Sequence, residues 1–499
     1  MADIPVKQNN FFGGVSDDPR KQIGGECIIS KHFDIFSQPN RLVPYRSLEA
    51  DTETSVSATD LKQYVVQDAF YATASGKLYG LGVNGTGLTK IVQKADATTG
   101  LWTKPDSSEG NGARQQGCFF EFKDYAWGFQ GTNQIFKWGL LSGTPSITNS
   151  VATVGATITS VANGIIAADG NGYMAYNNVV VRIATDASTI TDSAKTVPAE
   201  YKITSLTNYG SYMAIGCSPK YSYNGESKVF IWNLSSDLFA ETIPWGEGEL
   251  RVLDVVEGML VGVSDRFLNN ATGAGIGSMI IRGYSGGAAQ VLKEVFTKAL
   301  VGKTIPTAKT VKSGRLFFAA KIMTNSAGTE YHEGLWSFGR KNVNYPFSLT
   351  LDIVCEEANT SGIQGFTTAG NFFFIFHSND GSIAKTNDVS TYRYTSIFET
   401  LILGDGFTNR QLKRFILTTA PLPTGGSVTV KVKNDDDTSF TTIGTYSTVG
   451  GTFRKFVNIE STSAAFPTSR ESQFRIESTG GAEITGWLPI YDALIDETA

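Results

Sequence analysis

By type and spacing, the residues best suited to chemistry are Gly283-Tyr-Ser-Gly-Gly287. They match the G-x-S-x-G elbow that exposes a nucleophilic serine on a sharp strand-to-helix turn. Such a serine needs an acid and a later histidine, and only His332 and His377 follow it. The flanking chain shows no alternation of strands and helices, so a glycine-rich hairpin is expected instead. Gly80-Leu-Gly-Val-Asn-Gly85 satisfies G-x-G-x-x-G, but a dinucleotide fingerprint must open a helix, and another strand pattern follows. It reads as a turn between strands. Three histidines (His32, His332 and His377) and four widely separated cysteines (Cys27, Cys118, Cys217 and Cys355) offer no zinc-like spacing. Acidic loops such as Asp169-Gly-Asn-Gly, Ser378-Asn-Asp-Gly and Asn434-Asp-Asp-Asp could meet calcium, yet Asx-Gly clusters usually build turns. No metal, no cofactor and no catalytic set is expected.

The elements that must position these residues repeat along the chain. Seven anchors of small and aromatic residues recur: Tyr71-Ala-Thr-Ala, Ala126-Trp-Gly-Phe, Tyr173-Met-Ala-Tyr, Tyr212-Met-Ala-Ile-Gly, Leu260-Val-Gly-Val, Leu316-Phe-Phe-Ala-Ala and Phe372-Phe-Phe-Ile-Phe. Their separation of roughly 40 to 56 residues is near the period of four-stranded propeller blades. Glycine is abundant at 53 residues, charged residues make up 18 % and aromatics 11 %. That composition fits an all-β chain with many turns. Ala288–Leu300 is readable as a helix or as an outer strand. A β-propeller of about seven blades is expected over 29–391, its sixth blade coupling Gly314-Arg-Leu-Phe-Phe-Ala-Ala with Gly334-Leu-Trp-Ser-Phe338. A strand from 28–51 could close the ring against the last blade near 372–390.

The two ends differ from the middle. Residues 1–28 are polar and glycine-rich and read as an extended arm laid over a neighbouring surface, with Phe11, Phe12, Asp17 and Arg20 as its assembly contacts. From 392 to 499 alternation becomes regular. Val428, Val430 and Val432 oppose Thr429, Lys431 and Lys433, and Phe474 and Ile476 alternate with polar neighbours. A separate β-sandwich is expected there.

A net charge of −5 without a long basic run argues against a grip on nucleic acid. The start, Met-Ala-Asp-Ile-Pro-Val-Lys-Gln, has no apolar core of a signal peptide, and no apolar run is long enough for a membrane span. Isolated cysteines fit free thiols in a reducing cytoplasm. No S-x-D-x-G-x-[TS]-W box of sialidase type is present, and the adjacent Glu356 and Glu357 would point to opposite faces of a strand. Such a pair cannot flank one glycosidic bond.

Gly13-Gly-Val-Ser-Asp-Asp followed by Phe33-Asp-Ile-Phe-Ser-Gln-Pro-Asn-Arg-Leu42 resembles the opening of propeller-bearing virion proteins of tailed bacteriophages. Pro421-Leu-Pro-Thr-Gly-Gly-Ser-Val-Thr-Val-Lys-Val and Phe474–Gly486 are similar to the terminal sandwich of the same proteins. The resemblance implies a non-enzymatic structural part of a phage tail, a nozzle or tail-tip ring protein in a cyclic homo-oligomer. It would be assembled in the host cytoplasm, beside other tail proteins and around the DNA passage. The alternative is a tail protein that attaches to the host through a surface receptor or glycan.

Overall fold

The computed structural model describes residues 4–5, 11, 13–16, 26–36, 38, 40–45, 48–51, 65–73, 75–83, 89–94, 102–103, 114–143, 146–222, 225–267, 276–298, 309–323, 331–354, 363–377, 383–386, 395–447, 455–460 and 468–493. Among them every regular element is a strand. They pack as two compact units. One comprises Leu48–Met323 and Ala358–Thr386; the other comprises Met1–Ser47, Thr324–Glu357 and Asn387–Ala499.

The first unit is a β-propeller. Its innermost strands are Val65–Ala72, Arg114–Phe122, Val161–Ile166, Tyr201–Tyr209, Glu249–Val256, Lys309–Lys312 and Ile363–Ala369. They touch in cyclic order, the last returning to the first. The first five each begin a four-stranded antiparallel meander, and the sixth forms the hairpin Lys309–Met323 within this unit. Tyr331–Gly339 and Ser348–Val354, expected as the rest of that blade, count with the other unit. The seventh blade has three strands of its own. Its fourth is Leu48–Ala50, which pairs antiparallel with Ile383–Thr386. The ring-closing strand thus lies at the far end of the 28–51 stretch proposed for it.

Six of the seven sequence anchors lie in second strands, whereas Tyr71-Ala72 ends the innermost strand of blade one. The second strand there is Lys77–Val83, and it contains Gly80 to Val83 of the supposed turn; Asn84 and Gly85 lie outside the described residues. Glycine is required at 80 because a Cβ would stand 2.9 Å from Val66 and 3.1 Å from Val92, on the strands to either side. Ala288–Leu300 resolves as the outer strand Gln290–Lys298.

Apolar clusters fill the spaces between blades, and each of five of them contains one tryptophan. Trp102 lies between blades seven and one, Trp138 between one and two, and Trp127 between two and three. Trp232 lies between three and four, and Trp245 between four and five. Each is at most 3 % exposed. Large aromatic wedges suit these gaps because a twisted sheet diverges from its neighbour toward the rim.

The ring joint carries a buried polar clasp. Lys94 Nζ stands 3.1 Å from Asp51 Oδ1, both side chains fully buried, and the Trp102 indole N–H donates to Asp51 Oδ2 at 2.7 Å. Asp51 follows the closing strand directly, and its own N–H donates to the Ile383 carbonyl. Strand, cation and indole therefore meet at one carboxylate.

In the second unit, one sheet orders Ile4–Pro5, Ile484–Ala493, Arg410–Thr419 and Lys455–Glu460. The other includes Glu26–Lys31, Ser396–Thr400, Glu471–Thr479, Ser427–Asn434 and, last on that side, Thr441–Tyr446. The alternation expected at Val428, Val430 and Val432 is present, all three being buried. Phe415 of one sheet meets Phe474 of the other at 4.9 Å between ring centres, so the two sheets form a sandwich core.

Replacing Asp51 by alanine should lower stability by about 3–5 kcal/mol, because Lys94 would lose the carboxylate it is buried against. The double substitution Asp51→Ala with Lys94→Met should recover much of that loss in denaturant titration. An equal loss in both variants would show that the clasp does not act as a pair.

Candidate functional site

The propeller axis is the first place to look for function. A cavity of about 220 Å³ lies there, bounded by Asp68, Gly117, Asn163, Gly164, Lys309 and Phe366 among others. Glycine at 164 allows the close approach of Phe120, whose ring would stand 2.0 Å from a Cβ. Adjacent innermost strands belong to different sheets and share no ladder, so their backbone groups need other partners. Side chains supply them. Asn163 of blade three accepts from the Leu206 N–H at 3.0 Å and donates to the Leu206 carbonyl at 2.9 Å. Asn208 of blade four donates to the Ile166 carbonyl at 2.8 Å. Ser205 Oγ bridges the N–H and carbonyl of Leu253 in blade five, each at 3.3 Å. Asp68 of blade one accepts from the Gly117 N–H of blade two.

Lys309 completes the set. From the innermost strand of blade six its ammonium donates to Ser205 Oγ at 3.0 Å, to the Leu206 carbonyl at 3.1 Å and to the Leu253 carbonyl. Asp254 Oδ2 lies 3.5 Å away. Burial pulls the Lys309 pKa below the ordinary lysine value, while Asp254 acts the other way. Three N–H donors facing four acceptors leave no lone pair poised for attack and no proton held ready for a substrate. The lysine is a cross-link among three blades.

A second arrangement with chemical reach is a pair of carboxylates. Glu249 and Asp265 stand directly opposite on neighbouring strands of blade five. Lys202 lies 2.6 Å from one Glu249 oxygen and Arg251 2.5 Å from the other, and Arg251 Nε is 3.5 Å from Asp265. Their side chains are 3 % and 8 % exposed. Arg251 lies against both carboxylates, and Lys202 of blade four ties Glu249 of blade five into the joint between those blades.

The motifs take structural parts. Gly283-Tyr-Ser-Gly-Gly287 is the hairpin between Ile276–Tyr284 and Gln290–Lys298, with Ser285 exposed on it. Tyr284 turns inward instead, and its hydroxyl donates to Glu241 of blade four at 2.5 Å. That bond, followed by burial, raises the tyrosine pKa to about 12. The carboxylate of the Asp169 loop accepts from Asn171 and from the Tyr173 hydroxyl at 2.7 Å. Asp435 likewise accepts the N–H groups of Arg470 and Glu471. The Asp169 carboxylate and Asp435 Oδ1 thus serve their own turns. Among the described residues no group of three or more His, Cys, Asp or Glu side chains is arranged to hold a metal. Cys27, Cys118 and Cys217 are buried free thiols, and Cys355 and the Ser378-Asn-Asp-Gly loop lie outside the described residues.

Of the assembly contacts expected in the arm, Phe11 is 1 % exposed in an aromatic cluster of its own unit, 5.6 Å from Phe398 and 5.2 Å from Trp487. Ile4 and Pro5 pair with Tyr491 and Ile490 in the same unit. Phe12, Asp17 and Arg20 lie outside the described residues. Sequence reasoning did not find Lys309, since a lone lysine before Thr310-Val-Lys312 carries no motif.

No family model matches the chain, and no curated protein matches it. Solved structures similar to it include the Pan2 WD40 domain of Neurospora crassa, at 11 % identity and TM-score 0.42, covering 69 % of this chain and 96 % of that one. The Dos1 propeller is similar at 12 % identity and TM-score 0.42, covering 69 % and 94 %. A family 43 arabinoxylan arabinofuranohydrolase of Bacillus subtilis is similar at 11 % identity and TM-score 0.30, covering 88 % and 98 %. Likeness at this level brings no activity to this chain.

Lys309→Ala should destabilise the propeller by about 1.5–3 kcal/mol, because acceptors on two strands would each lose a charged donor. A loss within error of zero in chemical unfolding would show that water replaces the ammonium. Tyr284 gives a pH signature. Its folded pKa stands above the ordinary tyrosine value near 10, so the folded state keeps a proton that the unfolded chain releases. The stability it contributes is complete below pH 10 and is lost as pH rises toward 12. Alkaline unfolding of the wild type should therefore be steeper between those values than that of Tyr284→Phe; parallel curves would refute the assignment.

Proposed function

We propose that this protein is a non-enzymatic structural component of a tailed-phage virion, a ring protein of the tail nozzle or tail tip present in several symmetric copies. The observation that carries the non-enzymatic part is Lys309. At the centre of the disc, where convergent polar groups would serve a ligand, the ammonium is bound by protein acceptors from two other blades. Asn163 and Ser205 are spent in the same way. The placement in a phage tail is supported by the resemblance of both chain ends to virion proteins, at Gly13–Asp18 with Phe33–Leu42 and at Pro421–Val432 with Phe474–Gly486.

The alternative reading, a tail protein that binds a host receptor or glycan, calls for aromatic faces open to sugar rings. All seven tryptophans are buried, at 3 % exposure or less. Tyr221, 92 % exposed on a loop of blade four, is the best stacking surface among the described residues. A lone ring is a poor sugar platform, and the structural reading is preferred.

Electron micrographs of phage particles carrying a gold-labelled copy of this protein test the placement. Label arranged as a ring on the tail is the expected result. Particles that never carry label would remove the virion reading. Labelled particles whose purified protein also binds a glycan array, with loss of binding in Tyr221→Ala, would transfer the case to host attachment.

A further inference from the structure

Phe407, on a loop of the sandwich unit, stands with 88 % of its surface open to solvent. A single exposed apolar residue is ordinary. This one is distinguished by a loop built to hold the ring outward. The Asp405 carboxylate accepts four bonds: from the Phe407 N–H at 2.9 Å, the Thr408 N–H at 2.8 Å, the Thr408 hydroxyl at 2.7 Å and the Arg410 guanidinium at 3.1 Å. A glycine stands on either side of Asp405. Gly404 lies against the neighbouring strand, where a Cβ would be 2.2 Å from the Arg470 carbonyl oxygen, and Gly406 has a φ of +74°. So fixed, the loop keeps the ring from folding back onto the sandwich.

The surroundings of the ring carry charge of one sign. Gly404 pairs with Glu471, and Arg470 Nε donates to Asn409 Oδ1 at 3.4 Å. Asp435 accepts the N–H groups of the same Arg470 and Glu471, so the loops 404–409 and 434–437 lie side by side. Asp405, Asp435, Asp436 and Asp437 are all exposed there, against one exposed cation, Arg470.

We infer that Phe407 anchors a contact with another protein, whose surface offers an apolar pocket rimmed by lysine or arginine. An aromatic ring held in place before binding has little freedom left to lose, and such rings dominate the energy of interfaces. The carboxylates choose the rim, because opposite charge favours encounter and like charge rejects a partner. By the same rule they disfavour an anionic lipid surface and a phosphate backbone as the occupant. The contact does not rest on the placement in a phage tail.

A display library of random disulfide-closed peptides, panned on the full chain with counter-selection on Phe407→Ala, tests the chemistry of the occupant. The enriched peptides should combine lysine or arginine with large apolar residues. Their affinity should fall at least roughly tenfold in Phe407→Ala and should weaken as salt is raised. Asp436→Asn with Asp437→Asn should weaken it too, and far-ultraviolet circular dichroism should be the same for all three proteins. The inference is overturned if no peptide distinguishes the wild type from Phe407→Ala, if the peptides that do are acidic or uncharged, or if the aspartate variant binds them unchanged. Sedimentation of the wild type, but not of Phe407→Ala, with vesicles of anionic phospholipid would also overturn it.

Discussion

The propeller depends on how its ring is held shut. Leu48–Ala50 supplies a short ladder to the last blade, too short to fix its own register by backbone bonds alone. The residue immediately after it does that work electrostatically. Asp51 brings a carboxylate into a fully buried position where Lys94 and the Trp102 indole occupy both of its oxygens. A slip of one residue would flip the side chain to the other face of the sheet. Lys94 would then lose the carboxylate it is buried against, an arrangement far less favourable than the native one. A well-packed apolar replacement could match the pair in stability, but it would not discriminate between registers in this way. The clasp defines where the ring begins and ends.

Around the ring, two kinds of contact divide the labour. Toward the rim, aromatic clusters occupy the gaps that sheet twist opens, with Trp102, Trp138, Trp127, Trp232 and Trp245 as the largest wedges. Toward the axis the innermost strands of neighbouring blades lie side by side. Backbone groups there face one another across unpaired strands, and Asn163, Ser205, Asn208 and Lys309 satisfy them. Dispersion and dehydration hold the outside of the disc, and directional hydrogen bonds set its centre.

The part of this design legible in the sequence is the part that repeats. Second strands of propeller blades are covered on both faces, so they read as short aromatic and small apolar runs, and Tyr173-Met-Ala-Tyr176 is buried throughout. The sandwich was legible through period-two alternation, because each of its sheets has one wet face, as at Val428, Val430 and Val432. Blade one misled because Tyr71-Ala72 has the composition of a second strand while ending an innermost one. Lys309 was invisible for a different reason. Its partners, Ser205, Leu206 and Leu253, are brought to it only by ring closure and share no local spacing with it. The packing of Phe11 against Phe398 and Trp487 carries no local signal either, since its neighbours in sequence are polar and glycine-rich.

The distribution of satisfied groups limits where this molecule can act. Binding energy comes from groups that gain partners on association, and buried groups already paired have little to gain. At the axis, at Glu249 and at the Asp169 carboxylate, polar groups have partners within the chain. The tryptophans, ordinarily strong anchors of recognition, are committed to the interior. Unspent capacity among the described residues lies in the backbone of edge strands and in isolated exposed side chains such as Tyr221 and Phe407. Backbone edges recognise extended chain rather than small molecules.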